Sequence, residues 1–168
     1  MIDAIILLIL FSTIIYFSWA IKKVADTPQH LPMQSDKWYT LPTRAHKHDA
    51  GLDLKAAKYQ RIPVNGRATI DTRFRANIPA GYVGLVFSRS GHGTKGIRLA
   101  NSVGVIDAGY TGTIMVSIEN YGAEPFEIQP GDRVAQMVIV PIITPALKRT
   151  ETFTTTDRGT KGLGSTGK

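Results

Sequence analysis

Several short stretches of this 168-residue chain gather side chains able to hold and attack a phosphate group. Asp107 directly follows the apolar pair Val105-Ile106 and opens the turn sequence Asp-Ala-Gly-Tyr. A carboxylate at a strand end, facing a pocket, can orient and deprotonate a water for in-line attack on phosphorus. The same residue can instead stabilise its own turn through an Asx bond. Arg89, Ser90 and Gly91 make a compact anion-binding group: guanidinium, hydroxyl, and a glycine that lets backbone amides approach. An exposed Arg-Ser-Gly turn is the plainer reading. Gln136 lies mid-strand with Val134 and Val138 on its face at period 2, and a buried amide needs partners. Asp53 alternates with Leu52 and Leu54. The C-terminal GLGSTGK, Gly162 to Lys168, is nearly a P-loop, but a Walker loop needs a strand before it, a helix after it, and a Ser or Thr after the lysine. A glycine-rich stretch with Ser165, Thr166 and Lys168 can still cradle phosphate through backbone N–H groups once a ligand or neighbour orders it. Alone, such a tail is disordered.

The elements that must position these residues read as strands. Ala68 to Ile78 alternates, with Ile70, Thr72, Phe74, Ala76 and Ile78 on one side. Tyr82–Phe87, Thr113–Asn120 and Arg133–Ile142 are runs rich in β-branched residues. Turn chemistry separates them at Asn65-Gly66, Ala80-Gly81, Ala108-Gly109, Tyr121-Gly122 and Pro130-Gly131. Many short strands at this spacing predict an all-β domain, a jelly roll or distorted barrel, over residues 41–156, followed by a glycine-rich tail over 157–168.

The N-terminus differs. Ala4 to Ile21 carries no charge and spans roughly 27 Å as a helix, about a bilayer core. Tyr16 and Trp19 sit near its end and Lys22-Lys23 follow, so residues 1–23 read as a membrane anchor with the rest of the chain cytoplasmic. A cleaved signal peptide fits less well, because no basic n-region and no A-x-A site flank the run. Residues 24–40, with two prolines and little periodicity, read as a linker. His46-Lys47-His48-Asp49 reads as a solvated charged entry to the first strand, since no second group at zinc spacing follows. There is no cysteine, which excludes disulfides and thiolate metal sites. Net charge is +7, which suits a phosphate-rich ligand, nucleic acid or an anionic membrane. Nucleic acid is disfavoured, because interleaved surface aromatics and a groove-reading helix are both missing.

Five blocks in order, AGLDLKA from Ala50, SRSGHGTKGI from Ser88, NSVGVIDAGYTG from Asn101, GDRVAQMVI from Gly131 and DRGTKGLGSTG from Asp157, resemble the trimeric deoxyuridine triphosphatases (dUTPases) over Ala50 to Lys168. The resemblance implies hydrolysis of dUTP to dUMP and pyrophosphate, with Mg²⁺, in a homotrimer that exchanges tails between subunits. It assigns water activation to Asp107 and an α-phosphate and water contact to Gln136. Triphosphate contacts fall to Arg89, Ser90 and Gly91, with Ser90 near the oxygen bridging the α and β phosphorus atoms. Uracil recognition falls to Asn101, and exclusion of a 2′-hydroxyl to the Tyr110 ring. Asp53 helps hold the hydrated magnesium. In the closing tail Arg158 neutralises triphosphate charge much as an arginine finger does. Leu163 and Gly164 lie against the nucleotide there, and Ser165 and Thr166 bind the terminal phosphate. This chain departs from the family pattern at Leu163, where a stacking Phe is usual, at Thr111, and in the glycine-rich His92–Gly96 loop.

Two alternatives accompany this reading. A dCTP deaminase shares the fold but needs a glutamate where Ser117 stands. A membrane-tethered nucleotide-binding regulatory module could reuse the scaffold without turnover.

Overall fold

The structure, a computed structural model, describes residues 2–25, 28 and 30–162, and of residues 2–7 and 20–25 the backbone alone. Among the described residues eleven strands form, where β-branched and aromatic residues alternate with polar ones. They are β1 (Met33–Ser35), β2 (Leu52–Lys55), β3 (Gln60–Ile62), β4 (Arg67–Asp71), β5 (Phe74–Ala76), β6 (Tyr82–Phe87), β7 (Ile97–Leu99), β8 (Gly104–Ile106), β9 (Met115–Asn120), β10 (Phe126–Ile128) and β11 (Arg133–Pro141). All pairings are antiparallel, in four small sheets ordered β1-β5, β3-β10, β2-β11-β6-β8 and β4-β9-β7. Their inward faces meet in one apolar core around Phe74, Leu54, Ile62, Ile118, Ile128 and Met137, all essentially inaccessible. The expected all-β architecture is what these residues build.

Four details differ from the reading of the sequence. The alternating stretch Ala68 to Ile78 keeps its buried face but is two strands in two sheets. Arg73 turns the chain between them with φ of 52°. The buried Thr72 hydroxyl bridges the break, donating to the Ile114 carbonyl (2.6 Å) and accepting from the Phe74 N–H (3.2 Å). Alternation reports which side is buried, not which strand is the partner.

The proposed linker is shorter than expected. Residues 24 and 25 end a helix, and Met33–Ser35 adds β1 to the edge of β5. A 3₁₀ turn at Trp38–Thr40 then buries Thr40, whose hydroxyl bonds both Ser35 and the Lys37 carbonyl. At the other end the strands stop at Pro141. The Ile142 N–H bonds the Gly81 carbonyl (2.8 Å), and residues 141–162 are exposed throughout, so the arm begins about fifteen residues before Asp157.

A single helical turn, α2 (Ser90–Gly93), interrupts the β region within the second block.

The helix α1 covers Ile2–Ala25, and the side chains described on it, Leu8 to Trp19, are exposed on every face. Among the described residues no helix is long and apolar enough to cross a membrane. Residues 4–7 and 20–21, the ends of the apolar run, lie outside the described side chains.

Candidate active site

One group of expected residues converges at the Phe87 end of the four-stranded sheet. Leu52 and Leu54 point into the core, so Asp53 between them faces outward, and β-pairing sets Gln136 directly opposite it. Gln136 is also paired with Phe87, whose strand continues into Ser88 and Arg89. The Asp53 carboxylate accepts from Arg89 Nε (3.0 Å) on one oxygen and lies 3.4 Å from Arg133 Nη1 on the other. Its side chain is only 13% exposed, so the two guanidiniums satisfy a carboxylate that burial would otherwise penalise. Two positive charges against one negative leave this end cationic, which suits a polyphosphate.

Gln136 Nε2 donates to the Ser88 carbonyl (3.1 Å). Its Oε1 lies 2.5 Å from where a Cβ on residue 51 would stand, so any side chain at Gly51 would push the Gln136 amide out of place. A bulge between Arg133 and Ala135 turns Ala135 and Met137 to the core and Gln136 to the site face. Val134 sits at that bulge, buried in the core, so the simple period-2 face with Gln136 holds for Val138 and not for Val134. Ser88 Oγ accepts the Leu99 N–H (2.9 Å), tying this corner to β7. Ser90 opens α2, exposed, with Gly91 beside it. Gly51, Ser88 and Arg133 were not singled out as site residues by sequence. Each lies inside a block that was, and only the register reveals what it touches.

A second group belongs to the connection on either side of β8. Asp107 follows β8 and is exposed. It closes its turn with its backbone carbonyl, which accepts the Tyr110 N–H (3.2 Å), and among the described residues its carboxylate has no partner. The Asx alternative is therefore not what holds this turn. Tyr110 is fixed in place by its hydroxyl, which donates to the Thr113 carbonyl (2.9 Å), with its ring lying over Gly112. A Cβ at residue 112 would meet the Tyr110 hydroxyl at 2.6 Å. Asn101 sits exposed before β8, its carbonyl accepting the Val103 N–H (2.6 Å).

The two groups do not converge at Asp107 within one chain. Ile106 pairs with Gly84 on β6, whereas Gln136 pairs with Phe87. Asp107 thus lies some four residues further along the strands, roughly 13 Å at strand rise, and two strands across. Arg158 lies on the exposed arm, its Nε donating to the Lys161 carbonyl (3.4 Å), and among the described residues it makes no ion pair with either group. Leu163, Gly164, Ser165 and Thr166 lie outside the described residues. Among the described residues no three His, Cys, Asp or Glu side chains group as a metal cage. His46 and Asp49 instead close an exposed turn, the His46 N–H donating to the Asp49 carboxylate (2.8 Å).

The β9 strand carries Glu119, whose carboxylate takes Arg67, Arg98 and the Tyr121 hydroxyl. The Tyr121 hydrogen bond foremost, with Arg67 and Arg98, holds this carboxyl below the usual carboxylate range. Arg98 also lies 4.0 Å over the Tyr121 ring.

Comparison with known proteins follows the same blocks. Residues 37–167 match the family model for dUTPase. The chain is 41% identical over 128 residues to the deoxyuridine 5′-triphosphate nucleotidohydrolase of Yarrowia lipolytica, covering 75% of this chain and 81% of that one. It is 40% identical over 133 residues to the enzyme of the same name from Acinetobacter baylyi, covering 77% and 89%. Among solved structures, the dUTPase of Staphylococcus bacteriophage 80alpha with dUPNHPP superposes with a TM-score of 0.77 at 34% identity, over 83% of this chain and 99% of that one. That structure belongs to work on phage dUTPases controlling transfer of virulence genes by a G protein-like mechanism. A mutant dUTPase from phage phi11 of S. aureus, which coordinates a structural Mg(II) ion, gives 0.69 at 32% identity, over 76% and 100%.

Proposed function

The chain belongs to the dUTPase family, and from that premise we infer that it hydrolyses dUTP to dUMP and pyrophosphate. The observation that carries the inference is the carboxylate of Asp107, which has no partner among the described residues and is held at a strand end by a turn that does not use it. Asp107 accepts a proton from a water whose oxygen attacks the α-phosphorus. The bond from that phosphorus to the α,β-bridging oxygen breaks, and pyrophosphate leaves with the electron pair. Arg89 and the exposed Ser90 hydroxyl take the charge growing on the leaving group, and Gln136 orients an α-phosphate oxygen. The fixed Tyr110 ring closes the space a ribose 2′-hydroxyl would fill, and Asn101 reads the uracil edge. Leu163, Gly164, Ser165, Thr166 and Arg158 close over the nucleotide from the arm.

Mg²⁺ supplies charge neutralisation at the phosphate oxygens. Asp53 would help hold that ion, indirectly rather than as a direct ligand, because both Asp53 oxygens already face guanidiniums.

The active unit is a homotrimer. Support comes from the separation of Asp107 from the Arg89–Gln136 group along β6, and from the exposed arm, on which Leu147 is 100% and Phe153 92% exposed. Apolar side chains so placed gain from a neighbouring copy. The chain is anchored by α1 in a bilayer, with the β domain on the cytoplasmic side. This rests on the uncharged run of residues 4–21 within the Ile2–Ala25 helix and on the Ser12 and Thr13 hydroxyls, which donate to the Ile9 and Leu10 carbonyls (2.8 Å each). Resistance of the full chain to extraction from membranes by alkaline carbonate supports the anchor, and release into the supernatant removes it.

The deciding experiment measures pyrophosphate release by the purified full chain with Mg²⁺ from dUTP, dCTP, dTTP and UTP. Release from dUTP alone is expected. Ammonia release from dCTP would instead indicate a deaminase. Against that stand Ser117 on β9 and the engagement of the nearby Glu119 by two arginines and a tyrosine. The second reading, a nucleotide-switched regulatory module, draws on the phage 80alpha neighbour. Tight dUTP binding with no turnover would put it first.

A further inference from the structure

We propose that His92 is a positioning residue for the phosphate-binding turn: its neutral ring, clamped against Phe126, holds Arg89 and Ser90 where the triphosphate needs them. This rests on the dUTPase reading above and names a residue that reading does not use. The α2 turn makes its own hydrogen bonds, from the His92 and Gly93 N–H groups to the Arg89 carbonyl and from the Thr94 N–H to the Ser90 carbonyl. None of its residues is buried, and Gly91 and Gly93 bring no side chain to the domain. Two side chains therefore fasten it. Arg89 bonds Asp53 at the head. At the far side the His92 ring meets Phe126 of β10 edge-on, with centroids 5.2 Å apart and planes at 70°. Phe126 in turn packs against the core, so this contact is the turn's link to rigid structure.

The clamp depends on protonation state. His92 Nδ1 is buried with no hydrogen-bond partner. A neutral imidazole can leave that nitrogen as an unused acceptor, whereas the imidazolium would bring a full charge into the partly buried contact with Phe126 and beside Arg89, with the Val134 backbone offering it a hydrogen bond. Burial first, then the charges of Arg89 and Lys95, lower the His92 pKa; the Val134 backbone and the Asp132 carboxylate oppose this without reversing it. On the facing β10 strand, Glu127 is engaged by Arg61 (3.7 Å). With the folded-state pKa depressed, the hold is complete above the ordinary imidazole value and is lost as pH falls through the folded one.

The test compares the full-length wild type with His92→Leu, which keeps an apolar contact to Phe126 and cannot titrate, and with His92→Gly, which removes the contact. KM and kcat for dUTP are measured from pH 8 to about pH 5.5, and melting curves establish that each variant is folded. Protonation of the nucleotide's own phosphate affects all three alike and cancels in the comparison. The wild-type KM is expected to rise at least about threefold more than that of His92→Leu over this range, with kcat moving in parallel in the two. His92→Gly should raise KM several-fold already at pH 8 and leave kcat within about twofold. Equal KM profiles in wild type and His92→Leu, or an unchanged KM in His92→Gly, would overturn the proposal. Protection of the Gly91, His92 and Gly93 amides against hydrogen exchange gives a readout free of substrate. It should fall on acidification in the wild type and hold in His92→Leu, whether or not dUTP is cleaved, and equal protection in both would refute the clamp.

Discussion

Asp107→Asn removes a proton acceptor from an exposed position whose turn is held by backbone. Fold and dUTP binding should persist while kcat drops about 10²–10⁴-fold, as expected for loss of a general base. Retained turnover would take Asp107 out of its role. Gly51→Ala tests the opposite end of the site. The new methyl would stand 2.5 Å from Gln136 Oε1, and the amide must swing away from Ser88. A loss of turnover of about tenfold or more, with a melting temperature lowered by only a few degrees, is the expected result. Both residues are visible in the sequence, but with unequal clarity. Asp107 announces itself as a carboxylate after an apolar pair. Gly51 looks like any glycine until β-pairing brings Gln136 beside it.

At the scale of elements, β9 joins the core to a charged surface. Asn120 is buried, its amide donating to the Ile62 (3.1 Å) and Glu124 (2.9 Å) carbonyls while its oxygen accepts the Gly122 N–H (2.9 Å). Asn120→Ala strands these groups and should cost about 2–4 kcal/mol in chemical denaturation. One residue earlier, Glu119 is held ionised by Tyr121, Arg67 and Arg98. Its folded-state pKa is depressed, so its contribution is whole above the ordinary carboxylate value of 4.5 and is lost as pH falls through the folded one. Glu119→Gln should therefore flatten the pH dependence of stability below that value and leave it unaltered near pH 8. Identical acid limbs for the two proteins would show that the cluster carries no net linkage. The run rich in β-branched residues marks this strand, whereas the ion network was silent, because Arg67, Arg98 and Glu119 are neighbours only across three paired strands.

For the whole molecule, the division of site residues between the two ends of β6 makes a sharp prediction. Asp107→Asn and Gln136→Ala subunits should each be inactive alone, yet regain a fraction of wild-type dUTP hydrolysis when refolded together. Mixed trimers would then contain some sites built from one intact copy of each group. No recovery would mean that each chain completes its own site. Deleting Thr160 to Lys168 should leave a trimer of unchanged size by light scattering and abolish most turnover. An unaffected rate would mean the tail does not close over the nucleotide.

The β class, the buried face of residues 68–78 and of β2, the turn positions and the five chemical blocks are all determined by the sequence alone. They depend on near-neighbour chemistry: alternation, turn residues, and side-chain types at fixed short spacing. Tertiary structure decided the rest. It split the run of residues 68–78 between two sheets, drew residues 33–40 out of the linker into the domain, and started the arm at Ile142. It gave Asp53 to two arginines, and it set Asp107 apart from Gln136. Each of these follows from strand partners and register, which join residues up to 85 positions apart, such as Leu52 and Met137. Such pairings are chosen by the burial of the whole core rather than by any local stretch of chain.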